Sequence, residues 1–164
     1  MEEREVLTWP LFGEGARELA AQVADDRYYA DIIIAVARGG LTVAGALAYA
    51  LSIKNCFAIN VEYYTGIDER LDVPVLLPPA LDVVDIKDER VLLVDDVADT
   101  GHTLAMVQEV LAPSVKEVRT AVLYRKPRSV VAPEYVWRHT DLWIDFPWSS
   151  DPPVDVGHQE RPAS

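Results

Sequence analysis

The sequence predicts a single α/β domain built on a largely parallel, twisted sheet flanked by helices. Three observations predict it. Ile32-Ile33-Ile34-Ala35-Val36 and Val91-Leu92-Leu93-Val94 are continuous apolar runs of strand length, which suit strands covered on both faces. These runs alternate with segments of helical spacing, as βα units do. The chain has 164 residues, half of them hydrophobic, enough for one such domain and its core but not for two.

The elements follow in order. Gly13 to Arg27 reads as an amphipathic helix with Leu19, Val23 and neighbouring alanines on one side. Asp31 to Ala37 is the first core strand, and Arg38-Gly39-Gly40 is expected to break it. Alanine-rich Thr42 to Leu51 is helical, and Cys56 to Tyr63 is a second strand. Tyr64 to Glu89 is irregular, acidic in places and interrupted by Pro78-Pro79; stretches of this length in compact domains are usually functional lids or disordered segments, and a plain surface insertion is the rival reading. Val91 to Val94 is the third strand. Thr103 to Leu111 is a helix, with Leu104, Val107, Val110 and Leu111 at helical spacing and Pro113 as its stop. Val118 to Tyr124 is the fourth strand, and Tyr135 to Phe146 adds short β segments. The polar, proline-bearing stretch 151–164 is expected to be a loose tail after a domain of residues 1–150.

Composition narrows the function. A formal charge of −12 and the absence of a basic cluster argue against a nucleic-acid partner. No apolar run is long enough to span a bilayer, and no signal-peptide stretch opens the chain. Cys56 is the one cysteine, so no internal disulfide forms, and a cytoplasmic location fits. An acidic surface repels anions at long range. A phosphate site here must therefore rely on local donors: amides, helix N-termini and a few placed cations.

Such a site is visible in Val91-Leu92-Leu93-Val94-Asp95-Asp96-Val97-Ala98-Asp99-Thr100-Gly101-His102-Thr103-Leu104. A buried strand delivers two carboxylates at its carboxyl end, and a short Asp-Thr-Gly loop then opens a helix. Free amides at a helix start bind anions, and Gly101 can bring backbone close to a ligand. Carboxylates beside an anion site conflict unless a metal or a polyhydroxyl group lies between them. A sugar phosphate with magnesium meets that condition. Taken alone, Asp95-Asp96 could simply end a strand, and Asp99 or Thr100 could simply cap a helix.

The whole stretch resembles the phosphoribosyl pyrophosphate (PRPP) motif of the type I phosphoribosyltransferases, and the resemblance runs from about Trp9 to Trp148. It implies that family's fold: a largely parallel sheet with flanking helices and a small hood, here about 64–89, carrying Tyr64. It further implies that Asp95 and Asp96 hold the ribose and Mg2+, the metal through water or ribose, and that Ala98, Asp99, Thr100, Gly101, His102 and Thr103 hold the 5′-phosphate. Ala37, Arg38 and Gly39 would then take the pyrophosphate.

Three features resemble the 6-oxopurine members, xanthine-guanine and hypoxanthine-guanine phosphoribosyltransferases. Asp99 stands at the general-base position. Lys126, in Tyr124-Arg125-Lys126-Pro127, is a donor-only side chain suited to an exocyclic oxygen. The segment Asp141-Leu142-Trp143-Ile144-Asp145-Phe146-Pro147-Trp148 matches the one that stacks an aromatic, here Trp143, on the purine and reads its edge with backbone at Ile144; Trp148 is expected in the core. The resemblance thus implies purine salvage from PRPP and hypoxanthine, guanine or xanthine, by a homo-oligomer. Ser149 and Ser150 stand where xanthine-guanine enzymes usually carry an acid, which leaves the choice of purine open. A non-catalytic PRPP-binding module, or an enzyme for another base, remains the alternative. A receiver domain is excluded, because too little chain follows Asp95-Asp96 to supply its later βα units.

Overall fold

The computed structural model of the chain describes residues 3–63, 74–76 and 86–155. Its elements are β1 (Arg4–Val6), α1 (Trp9–Asp25), β2 (Ile32–Ala37), α2 (Gly39–Ala50), β3 (Asn55–Tyr63), β4 (Pro74–Leu76), β5 (Arg90–Ala98), α3 (His102–Leu111), β6 (Glu117–Arg125), β7 (Tyr135–His139) and β8 (Trp143–Asp145).

The main sheet has the order β4-β3-β2-β5-β6-β7. Five of its strands are parallel; only edge strand β4 runs antiparallel, against β3. The alternation along β2 shows why this sheet is covered on both sides. Ile33 and Ala35 point into a core shared with α1 and α2, which includes Leu19, Val23, Val43 and Leu47. Ile32, Ile34 and Val36 point into a second core with Leu104, Val107 and Leu111 of α3. The side chains from Ile32 to Val36 are all buried. Each large one contributes about 1.5–3 kcal/mol by leaving water. The second core also takes in Ile86, from the segment before β5.

Helix boundaries differ from the sequence reading for local reasons. Helix α1 starts at Trp9 rather than Gly13, because Thr8 caps it: its Oγ accepts from the Leu11 amide at 3.3 Å, and Pro10 is tolerated in the first turn. Helix α2 starts at Gly39, so the Gly-Gly pair read as a break is the first turn of the helix. Strand β5 runs on to Ala98, which puts Asp95 and Asp96 inside the strand rather than after it.

A second, two-stranded sheet joins β1 to β8 in parallel, Arg4 opposite Trp143 and Val6 opposite Asp145. The sequence reading did not contain β1. Arg4 Nη1 donates to Asp145 Oδ1 at 2.9 Å, which ties the segment near the N-terminus to the aromatic segment. The stretch about 64–89, expected to be an irregular hood, contains β4; its other residues, Tyr64 included, lie outside the described residues except for 86–89. Residues 151–155, the described part of the stretch expected to be a tail, lack regular structure and are exposed; 156–164 lie outside the described residues. No helix among the described residues is long and apolar enough to cross a membrane.

Candidate active site

The carboxyl ends of β2, β5 and β6 converge with the β8 segment on three adjoining cavities. The first, about 540 Å³, is lined by Asp95 and by Val97 through Leu104. Strand β5 delivers this loop, and α3 leaves it. Gly101 occupies the N-cap position at φ 81°, a left-handed conformation that glycine adopts without strain. A Cβ there would also lie 2.5 Å from Ser129 Oγ and 2.8 Å from Val131 Cγ2. Neither Asp99 nor Thr100 is the helix cap, then; the cap is Gly101, with no side-chain bond. The Thr100 hydroxyl accepts a long bond, 3.5 Å, from the His102 amide. The Ala105 amide makes its helical bond to the Gly101 carbonyl, so the helix start faces the cavity with the positive end of its dipole.

The second cavity, about 230 Å³, is lined by Val97, Asp99, Lys126, Trp143, Ile144, Asp145, Phe146, Ser149 and Ser150. Lys126 Nζ lies 5.9 Å from the centroid of the exposed Trp143 ring. Ile144 is buried and so anchors the segment. The Lys126 amide donates to the Ala98 carbonyl at 3.0 Å, which fixes the lysine's strand end beside the loop. Asp99 borders both cavities.

The third cavity, about 950 Å³, is lined by Arg38, Gly39, Leu41, Thr42, Asp96, Pro147, Trp148, Ser149 and residues 151–154. Ala37 and Arg38 are joined by a cis peptide bond. Ala37, expected at this site with Arg38 and Gly39, is the last residue of β2 and does not line the cavity. Two glycines let α2 press on β5. A Cβ on Gly39 would overlap the Asp96 carboxylate, and one on Gly40 would lie 2.5 Å from the Val94 carbonyl oxygen.

The two adjacent carboxylates therefore face different cavities, Asp95 the first and Asp96 the third. The Asp96 amide donates to Asp95 Oδ1 at 2.9 Å. Burial holds Asp95 well above the usual carboxylate range, and the charge of Asp96 pushes it further. Burial also raises Asp96, against hydrogen bonds from Asp95, the Val97 amide and the Trp148 indole that favour its ionised form. A cation or a hydroxyl group brought to either carboxylate would relieve it.

Several residues at these cavities escaped the sequence reading. Trp148, expected in the core, is only partly buried; it stacks on Phe146 at 4.9 Å and meets Phe12 edge-on at 5.5 Å. Nothing in its sequence surroundings signalled a contact with Asp96. Arg128 forms a fork on Asp99, with Nε to Oδ1 at 2.7 Å and Nη2 to Oδ2 at 2.6 Å. Asp145 lines the second cavity while paired with Arg4. Only proximity to Lys126 in sequence could have drawn attention to Arg128.

Comparison with known proteins gives a consistent picture. Residues 3–155 match the phosphoribosyl transferase domain model. A xanthine-guanine phosphoribosyltransferase of Nitratidesulfovibrio vulgaris is 33% identical over 147 residues, 88% of this chain and 84% of that protein. A protein of the same name from Idiomarina loihiensis is 34% identical over 145 residues, 87% of this chain and 84% of that one. The crystal structure of a purine phosphoribosyltransferase from Pyrococcus horikoshii superposes with a TM-score of 0.79 at 37% identity, over 93% of this chain and 97% of that one.

Proposed function

The chain belongs to the phosphoribosyltransferase family, and we propose that it transfers the phosphoribosyl group of PRPP to a 6-oxopurine, giving the nucleoside monophosphate and pyrophosphate in purine salvage. One observation carries the reading. Asp99 is shared by a helix-start cavity suited to a phosphate and a smaller cavity walled by Trp143 and Lys126. A proton acceptor placed there touches the junction between ribose and base.

The residues are assigned as follows. Residues 98–103 receive the 5′-phosphate with amides at the start of α3. Arg38 and Gly39, across the site beside Asp96, take up charge on the departing pyrophosphate, an electrostatic role. Trp143 stacks on the purine, and Lys126, which only donates, favours an exocyclic oxygen over the amino group of adenine. Asp99 accepts the proton that the purine loses as its nitrogen attacks the anomeric carbon. Ser149 and Ser150 line the base cavity without charge, so they leave open which 6-oxopurine is preferred.

Asp95 and Asp96 suit Mg2+ in number. No third His, Cys, Asp or Glu joins them in a metal-binding group among the described residues. Two carboxylates are too few for a protein-only cage, but Mg2+ keeps its waters and is completed by substrate phosphates. These two residues would hold it through water or ribose oxygens. When bound, the ion neutralises pyrophosphate charge.

Helix α2 supports the homo-oligomer expectation. It carries no charged residue from Gly39 to Ala50, and Leu41, Gly45 and Tyr49 leave its outer face exposed. A helix apolar all round is ordinarily covered, and an uncharged face lets two acidic chains meet. A cytoplasmic location is proposed with this activity.

A turnover panel tests the function: hypoxanthine, guanine, xanthine, adenine, uracil and orotate, each with PRPP and magnesium. A 6-oxopurine is expected to win, and adenine or a pyrimidine as best substrate would refute the purine assignment. Asp99→Asn keeps size and an acceptor oxygen but cannot take up a proton. It should lower turnover by about 10²–10⁴-fold with PRPP affinity nearly intact. A loss below about tenfold, with an unchanged melt, would assign the base elsewhere.

A further inference from the structure

Asp99 and Arg128 are 29 residues apart, and backbone bonds on either side of each bring them together. The Lys126 amide donates to the Ala98 carbonyl at 3.0 Å, and the Val130 amide donates to the Thr100 carbonyl at 2.8 Å. Ala98 and Thr100 bracket Asp99 closely, while Lys126 and Val130 bracket Arg128. The intervening turn is closed by the Ser129 amide on the Lys126 carbonyl at 3.1 Å, and Ser129 packs against Gly101. Exposed ion pairs usually order little, because two long side chains wander on separate backbones. Here the two backbones are stitched together, and the guanidinium meets the carboxylate with two nitrogens rather than one.

We propose that Arg128 is the positioning residue for the proton acceptor of the reaction: its fork fixes the plane of the Asp99 carboxylate and leaves that group's remaining lone pairs to the base cavity. The proposal rests on the reading of Asp99 as the base. A carboxylate has about four lone-pair sites, of which a side-on guanidinium uses two. The purine N–H bond breaks, its proton goes to a lone pair of Asp99, and the ring keeps the electron pair. The attacking nitrogen forms the bond to the anomeric carbon, and the carbon–oxygen bond to pyrophosphate breaks with its electrons on the leaving group. Arg128 exchanges no proton in this sequence. It holds the acceptor in the orientation the ring nitrogen needs, and small misplacements at a reacting centre are costly.

The same turn places two cations around the base with different tasks. Lys126, at its start, reaches over Trp143 into the base cavity. Arg128, past Pro127, turns to Asp99 and lines none of the three cavities. Lys126 thus meets substrate, whereas Arg128 acts through another residue.

The test is steady-state kinetics of Arg128→Ala and Arg128→Lys with PRPP, magnesium and the best purine of the panel, alongside thermal melts. Arg128→Ala should lower kcat roughly tenfold or more while KM for PRPP stays within about twofold and the melt barely moves. Arg128→Lys keeps the charge but not the fork, and should recover only a minor part. Free guanidinium ion should restore rate to Arg128→Ala, and should not do so when Asp99→Asn is also present. A kcat for Arg128→Ala within about twofold of the parent overturns the proposal, as does full recovery by lysine or a loss expressed only in KM. If Asp99→Asn alone is inactive while Arg128→Ala is normal, only the role of Arg128 fails. If Asp99→Asn turns over normally, the reading of the base fails and this proposal with it.

Discussion

Replacing Gly39 by alanine should disable the enzyme while leaving most of its stability. Gly39 opens α2, and a Cβ there would overlap the Asp96 carboxylate, with all three carboxyl atoms too close. The backbone on both sides is fixed, by α2 and by the strand pairing of β5, so the carboxylate is the part that must retreat. A displacement of about 1 Å at a reacting centre costs about 10²-fold in rate, or about 2.7 kcal/mol of transition-state stabilisation. Folding pays less. Alanine improves the helix by about 1 kcal/mol over glycine, and overpacking costs about 1–3 kcal/mol. The net is a loss of about 0–2 kcal/mol, a fall in Tm of up to about 8 °C for a chain of this size. Pyrophosphate release at varied PRPP, with a melt on the same preparation, measures both. Gly13→Ala is the control: a Cβ there meets nothing within 4 Å, so activity should hold and stability should rise by about 0.4–1 kcal/mol. A Gly39→Ala enzyme with parental kcat/KM for PRPP would mean that Asp96 does not act from this position.

The double substitution Asp95→Asn with Asp96→Asn should weaken PRPP binding by calorimetry with magnesium present, and unchanged binding would remove both from the ribose–metal role. The same variant, without magnesium, should melt higher at neutral pH. Burial raises both carboxyls in the folded state, so their ionisation opposes folding above the unfolded value near 4, and the gain should vanish below about pH 4. At the alkaline end, burial, aided by the charge of Glu5, pushes Tyr124 up to about 12. The folded chain then keeps a proton that the unfolded chain loses near pH 10. That contribution to stability is full below pH 10 and falls by up to about 1.4 kcal/mol per pH unit until about pH 12. Tyr124→Phe, which preserves the edge-on contacts to Trp137 and Phe146, should flatten this slope by that amount; an unaltered slope would contradict the assignment.

What the chain disclosed in sequence was whatever local pattern can encode. The apolar runs of β2 and β5 are long enough to need two covered faces, and the structure covers both. The loop from Asp95 to Thr103 stood out in sequence because carboxylates followed by Asp-Thr-Gly at a helix start are an unusual residue order, and in the structure it lines a cavity. Misreadings arose where tertiary packing overruled local preference. Gly39 and Gly40 look like a break, yet they start a helix, because only glycine lets α2 lie against Asp96 and the Val94 carbonyl. Asp95 and Asp96 look like the end of a strand, yet β5 continues through them, held by pairing with β6. Arg4-Glu5-Val6 carries no strand signal and becomes β1 only because β8 lies beside it. Arg128 could not be assigned without knowing that its turn is bonded to the loop carrying Asp99.

The pairing of β1 with β8 also sets an order of events during synthesis. Arg4 and Asp145 are 141 residues apart, so at a translation rate of roughly 5–20 residues per second the first strand waits roughly 7–30 s for its partner. When Arg125 completes β6, the strands β2, β5 and β6 are all translated, while β8, beginning at Trp143, is still to come. The small sheet is therefore the last strand pairing the described chain can make, and it joins a segment made at the start of synthesis to one made near its close.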